Sequence, residues 1–197
     1  MKAEAWTLVT AAAEEPLNLA EMKEHLRVDA SDEDALIADY VMAARAWAET
    51  YTGRALVTQT WEAHYRCWPG SEGFVLPLPP LASVTSIKYT PEGAAQATLA
   101  TSVYQVITQE EPGRIILKWD QEWPSEALDV GLPIVVRYVC GYGAAAAVPA
   151  GIKQGIRWLV GHYHENRETV TMANVMPQVV PMTARWALDP YRLHYVW

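Results

Sequence analysis

The chain has 197 residues, 51% of them hydrophobic, enough apolar material for one core or a core with a small insert, which excludes disorder of the whole chain. Its formal net charge of -8 argues against holding nucleic acid by neutralising phosphates, a mode that needs clustered Lys and Arg. Two cysteines, Cys67 and Cys140, cannot make a disulfide framework, no charged-then-apolar leader reads as a signal peptide, and no apolar run approaches the roughly 20 residues of a membrane helix, so a reducing cytoplasm is the expected place of synthesis and no membrane partner is expected.

A loose Ala/Glu leader opens the chain. Asn18, with Glu21 three residues on, has the spacing of a capping box, and Leu19, Met22 and Leu26 then share one helical stripe. Val28-Asp29-Ala30 breaks that short helix, and Ser31 with Asp34 offers a second N-cap. Leu36, Ile37, Tyr40, Val41, Ala44, Trp47, Ala48 and Tyr51 follow at i, i+4, i+7 spacing, and Gly53 stands where a left-handed C-cap belongs. Asp32, Glu33 and Asp34 read as first-turn residues that complement the helix dipole.

From Thr58 the period changes from 3.6 to 2. Trp61, Ala63, Tyr65 and Cys67 face one way, Glu62, His64 and Arg66 the other. Trp68-Pro69-Gly70 turns the chain, and Phe74-Val75-Leu76 leads into a proline-dense step at Pro77 to Pro80. Further strands are expected at Val84 to Tyr89, Val103 to Thr108, Arg114 to Trp119 and Ile134 to Cys140, with turns at Pro91-Glu92-Gly93 and Pro112-Gly113. Pro149 suits the first position of a third helix, whose stripe is Ile152, Ile156, Leu159, Val160 and Tyr163. Helices near 18–27, 32–52 and 149–166 are thus expected to pack together.

The fold class that follows is α+β: a small helical bundle with an inserted antiparallel β-sheet or sandwich and an extended C-terminal tail. The expected divisions are 1–56 (N-terminal helices), 57–143 (β insert), 144–168 (the helix completing the bundle) and 169–197 (tail). The tail carries Met172, Met176, Met182, Trp186, Tyr191, Tyr195 and Trp197, broken by three prolines, with no steady period. That is too much apolar area to stay solvated and too little periodicity for a core of its own, so the tail is expected to leave the subunit body and dock on a partner. Trp186, Tyr191, Arg192, Tyr195 and Trp197 are the candidate anchors. The alternative is that it folds back on its own helices. Residues 1–50 hold four Lys/Arg against eleven Asp/Glu, and residues 150–197 hold five against three, an asymmetry suited to head-to-tail pairing of copies.

Catalytic chemistry finds no support. His162 and His164 are two apart, so on a helix they point about 200° apart, unlike the i, i+4 histidines of zinc helices. His64 points opposite Cys67, so these two and Cys140 do not make a ligand set, and both cysteines read as buried and inert. Gly141-Tyr142-Gly143 lacks the third glycine of a dinucleotide fingerprint and reads as a strand exit. No catalytic residue, metal or cofactor is expected, and the chain reads as a non-enzyme. Trp61, Trp68, Trp119 and Trp123 on the β region raise a rival reading, a sugar-stacking platform of a carbohydrate-binding module. A hydrolase using His64 or His162 with a carboxylate is a second rival.

Several segments in order carry a resemblance. They are LNLAEMKEHLRV (17–28) with DEDALI (32–37), TGRAL (52–56), QTW (59–61), LPLPPL (76–81) with Val84, PGRI (112–115), VCGYG (139–143), Val148-Pro149, IKQ (152–154) and HYHENRE (162–168). Over residues 16–168 the chain resembles the head-tail connector, or adaptor, proteins of long-tailed phages and gene transfer agents; beyond Glu168 the likeness fades. The resemblance implies a homo-oligomeric ring of twelve copies at the virion neck, made in a bacterial host. The ring would sit between the portal and a stopper or tail-completion protein, with DNA crossing its lumen without sequence-specific binding.

Overall fold

The computed structural model describes residues 1–166 and 182–193. Two compact units divide the chain: residues 1–13 with 58–142, and residues 14–57 with the described residues from Gly143 onward.

The second unit is helical: α1 Leu19–Leu26, α2 Asp34–Thr52, α3 Ala150–Glu165 and α4 Met182–Leu188, with 3-10 turns at Ala145–Ala147 and Asp189–Tyr191. The capping box forms: the Asn18 side chain accepts from the Glu21 N–H and Glu21 Oε2 accepts from the Asn18 N–H, each at 2.9 Å. The α1 helix ends at Arg27 in the left-handed region (φ 58), and α2 ends at Gly53 (φ 71), whose N–H reaches the Glu49 carbonyl. The expected Ser31/Asp34 cap does not form. Asp34 is instead the first helical residue, and its carboxylate takes a salt bridge from Lys23 at 2.6 Å. Pro149 is the cap before α3 rather than its first residue. Ile37, Val41, Ala44 and Ala48 of α2 and Ile152, Ile156, Leu159 and Val160 of α3 are buried, the two stripes that the 3.6 period marks. Each large aliphatic side chain so buried contributes about 1.5–3 kcal/mol before entropy.

The first unit is β: β1 Ala5–Thr10, β2 Gln59–Tyr65, β3 Phe74–Val75, β4 Leu81–Tyr89, β5 Ala97–Thr98, β6 Tyr104–Ile107, β7 Arg114–Leu117 and β8 Ile134–Cys140. They form antiparallel sheets ordered β1-β2-β8-β4-β5 and β3-β7-β6. The β8 strand buries Ile134, Val136, Tyr138 and Cys140 in strict alternation between two partners. Two deep phenols are satisfied by carbonyls: Tyr65 Oη donates to Val75 O at 2.9 Å and Tyr138 Oη to Pro77 O at 3.1 Å.

Three further expectations need correction. The leader is not loose, because Ala5–Thr10 pairs with β2 as an edge strand. The tail is not extended over residues 182–193, which form α4 and a 3-10 turn. Cys67 is exposed, because β2 stops at Tyr65 and the alternation that would turn Cys67 inward ends with it; Cys140 is buried.

Candidate docking surfaces

In the helical unit, Gly151 and Gly155 lie one turn apart on α3 and make the seat for α4. A Cβ at Gly155 would stand 2.9 Å from Leu188 Cγ, and one at Gly151 2.9 Å from Tyr191 Oη. Ala184 and Leu188, at i and i+4, are the buried face of α4. Tyr51 Oη donates to Asp189 Oδ1 at 2.5 Å, an acceptor that, ahead of partial burial, lifts the Tyr51 pKa. Arg54 Nε donates to the Tyr191 carbonyl at 2.6 Å, the Leu193 N–H reaches the Thr52 carbonyl at 3.0 Å, and the Arg192 guanidinium lies 5.0 Å over the Tyr51 ring.

Of the five expected anchors, Tyr191 and Arg192 therefore engage α2 and α3 of their own chain. The expectation that the tail leaves the body fails over residues 182–193, since two buried positions suffice to seat a helix of seven residues too short to show a period in the sequence. Trp186 points outward, 63% exposed, beside an exposed Met182, and Arg192 is exposed as well although its guanidinium lies over Tyr51. Tyr195 and Trp197 lie outside the described residues, as do Met172 and Met176.

A cavity of about 570 Å³ in the same unit is floored by Leu17, Val41 and Met42 and also lined by Glu14, Glu21 and Lys153. Glu14 Oε1 accepts from the Ala145 N–H at 2.7 Å, tying the two segments that flank it. Nearby, Arg45 holds Glu15 at 2.7 Å and Glu49 at 2.8 Å. Burial opposes the Arg45 charge, but the two carboxylates outweigh it and raise its pKa.

The sheet unit exposes apolar residues in two places. In β1, Trp6, Leu8 and Val9 are exposed, and among the described residues this strand is the edge of its sheet, paired with β2. In the loop 118–133, Trp119 is 97% exposed and Val130 93%. Sequence periodicity points to neither place, because both lie outside the buried pattern that creates a period. The tryptophan platform of the rival reading does not form. Trp68 and Trp123 stack on each other at 5.3 Å and abut Phe74, with both indole nitrogens buried, and Trp61 Nε1 donates to Gln59 Oε1 at 2.9 Å.

The three histidines weighed as ligands, His64, His162 and His164, have ordinary partners. His64 Nε2 lies 3.3 Å from Thr7 Oγ1, Asn166 Nδ2 donates to the His162 carbonyl at 3.0 Å, and His164 Nε2 lies 2.9 Å from Glu33 Oε2. Among the described residues no group of three or more His, Cys, Asp or Glu is placed to hold a metal, and no helix is long and apolar enough to cross a membrane. The chemistry this arrangement offers is contact with other protein surfaces, through exposed Trp and aliphatic side chains on rigid elements.

No curated protein sequence matches the chain. Solved chains that share its fold include one from the neck of an empty GTA particle computed with C6 symmetry (23% identity, TM-score 0.78), one from the virion of a native gene transfer agent (GTA) particle (23%, 0.79) and one from the neck of a native GTA particle computed with C12 symmetry (22%, 0.77). Each similarity covers 98% of this chain and 97% of the other. A family model described as phage gp6-like head-tail connector protein matches residues 16–114, half of the chain, from the helix-capping segment through α1 and α2 to the start of β7. The chain belongs to the phage gp6-like head-tail connector family.

Proposed function

We propose that the chain is a structural subunit of a ring of twelve copies at the neck of a tailed phage or phage-like particle. The ring docks between the portal and a stopper or the first tail component, and DNA crosses its lumen during packaging and ejection. The observation that carries this reading is the family match over residues 16–114, backed by a fold likeness along 98% of the chain to proteins of GTA necks, two of them computed with C6 and C12 symmetry. Two physical features support it. Exposed Trp and aliphatic residues on firm elements suit a subunit whose remaining burial comes from neighbours. A net charge of -8 lets a duplex slide where a basic lining would trap it.

The test is to mix the full chain with its cognate portal ring and count copies by native mass spectrometry and cryo-electron microscopy. Twelve copies per portal are expected; absence of binding, or one copy bound, overturns the reading.

A further inference from the structure

We infer that β1 of one subunit and the 118–133 loop of the next form a head-to-tail contact between copies of this chain; the inference rests on the ring reading above. Head-to-tail rings need two different, complementary patches on each subunit, placed so that the contact repeats and closes. The sheet unit carries two such patches on different sides of its five-stranded sheet.

The first is the β1 edge. Trp6 pairs with Ala63 and Leu8 with Trp61, so both side chains lie on the face of β2 that turns toward the core. That face continues inward as Ala63–Val136–Ile87 and Trp61–Tyr138–Val84. The middle of these rows is dry: Ala63, Val136, Ile87 and Tyr138 are buried. Their outer ends are not, with Trp6 39% and Leu8 48% exposed and Val9 exposed beside the bulge between Leu8 and Thr10. The apolar rows thus run off the edge of the subunit. Natural edge strands are shortened, charged or interrupted by proline; β5 at the far edge follows that rule with two residues, whereas β1 has six and neither a charge nor a proline. A long apolar edge left in this state implies that another chain covers it.

The second patch is the loop. It is fastened beyond the end of β4, where the Asp129 N–H reaches the Thr90 carbonyl at 3.0 Å and the Glu92 N–H the Ala127 carbonyl at 2.9 Å, so β8 and β2 separate its anchorage from β1 in the strand order. Trp123 fixes the loop from within by stacking on Trp68, which leaves Trp119 and Val130 projecting from a rigid base. Charges fit as well. The loop carries Asp120, Glu122, Glu126 and Asp129 against Lys118, while the ends of β1 and β2 bring Lys2 and Arg66 against Glu4. A second copy is the occupant that supplies both halves at once, an aromatic anchor with an acidic collar for an apolar edge whose flanking Lys2, Glu4 and Arg66 sum to one positive charge.

The experiment compares the full chain with Leu8→Arg and Trp119→Asp, separately and mixed, by sedimentation and native mass spectrometry in solution and on the portal ring. The contact predicts that each variant alone weakens subunit association by about 30-fold or more, the effect of losing a hot spot. It also predicts that the mixture forms dimers and nothing larger, because one intact edge meets one intact loop. If the wild-type chain forms rings and either variant assembles as well as wild type, or the mixture gives no dimers, the contact is wrong while the ring reading stands. A wild-type chain that never oligomerises, free or on the portal, overturns both. Val9→Asp and Val130→Asp are the replacements if circular dichroism shows either first variant unfolded.

Discussion

Glycine at position 155 shows how one absent Cβ decides where the tail goes. The buried Leu188 side chain occupies the space a methyl would fill, with Cγ at 2.9 Å and the Ala184 carbonyl at 3.4 Å behind it. Gly155→Ala is therefore expected to push α4 off α3 and lower stability by about 1–3 kcal/mol, the usual cost of overpacking, although alanine is the better helix former. Trp186 is the contrasting case. With 63% of its surface in solvent, Trp186→Ala is expected to change unfolding free energy by no more than about 0.5 kcal/mol. If Trp186 is a docking anchor, as the sequence suggests, and its partner is the portal, the same change weakens portal binding at least tenfold, or about 1.4 kcal/mol. Denaturant unfolding and portal binding measured on both variants check the pair; a Trp186→Ala protein that binds the portal like wild type removes the anchor role.

Elements respond to pH through their buried phenols. Desolvation is the main cause that pushes the Tyr65 and Tyr138 pKa values far above the ordinary tyrosine value, and for Tyr138 the proximity of Cys140 and Tyr65 adds to it. Folding thus holds both rings neutral, while unfolding lets them ionise near pH 10. Their contribution is complete below that pH and is lost as pH rises from there toward the folded values, by up to about 1.4 kcal/mol per pH unit for each ring. The Tyr65→Phe/Tyr138→Phe double variant should show a flatter loss of unfolding free energy between pH 10 and 11 than wild type; parallel profiles would contradict this. The elements that hold these rings, β2 and β8, are legible in the sequence because each buries one face, in strict alternation in β8 and with a break at Trp61 in β2. The α2 helix is legible for the same reason at period 3.6. The β1 strand and α4 are not. Five of the six β1 residues are exposed, so no in-out pattern marks the strand. The α4 helix buries two residues in seven, with prolines at 181 and 190 on either side suggesting irregular chain. The docking surfaces are least legible of all, since Trp119 and Val130 are set apart by exposure, which belongs to the fold and not to local spacing.

At the scale of the whole molecule, charge is the property that bears on DNA. A protein gains affinity for a duplex by displacing condensed counterions with Lys and Arg, and each phosphate so neutralised adds to the salt dependence of binding. This chain has 15 Lys and Arg against 23 Asp and Glu, and several of its cations are already engaged: Lys23 by Asp34, Arg45 by Glu15 and Glu49, Arg66 by Glu4, Arg114 by Glu110 and Arg137 by Glu62. Repeating the subunit around a ring multiplies the negative charge along with the copies. If the proposed ring forms, its net negative charge would repel duplex DNA in the lumen, which suits passage at speed in both directions. The assembled full chain should therefore bind a 30-base-pair duplex more weakly than the roughly 10⁻⁴–10⁻⁶ M of ordinary non-specific DNA-binding proteins at physiological salt, and with little salt dependence. Fluorescence anisotropy of labelled duplex titrated with the ring reads this out. Micromolar or tighter binding that collapses as salt rises would mean that a basic face lines the channel, and that DNA is gripped there and not merely let through.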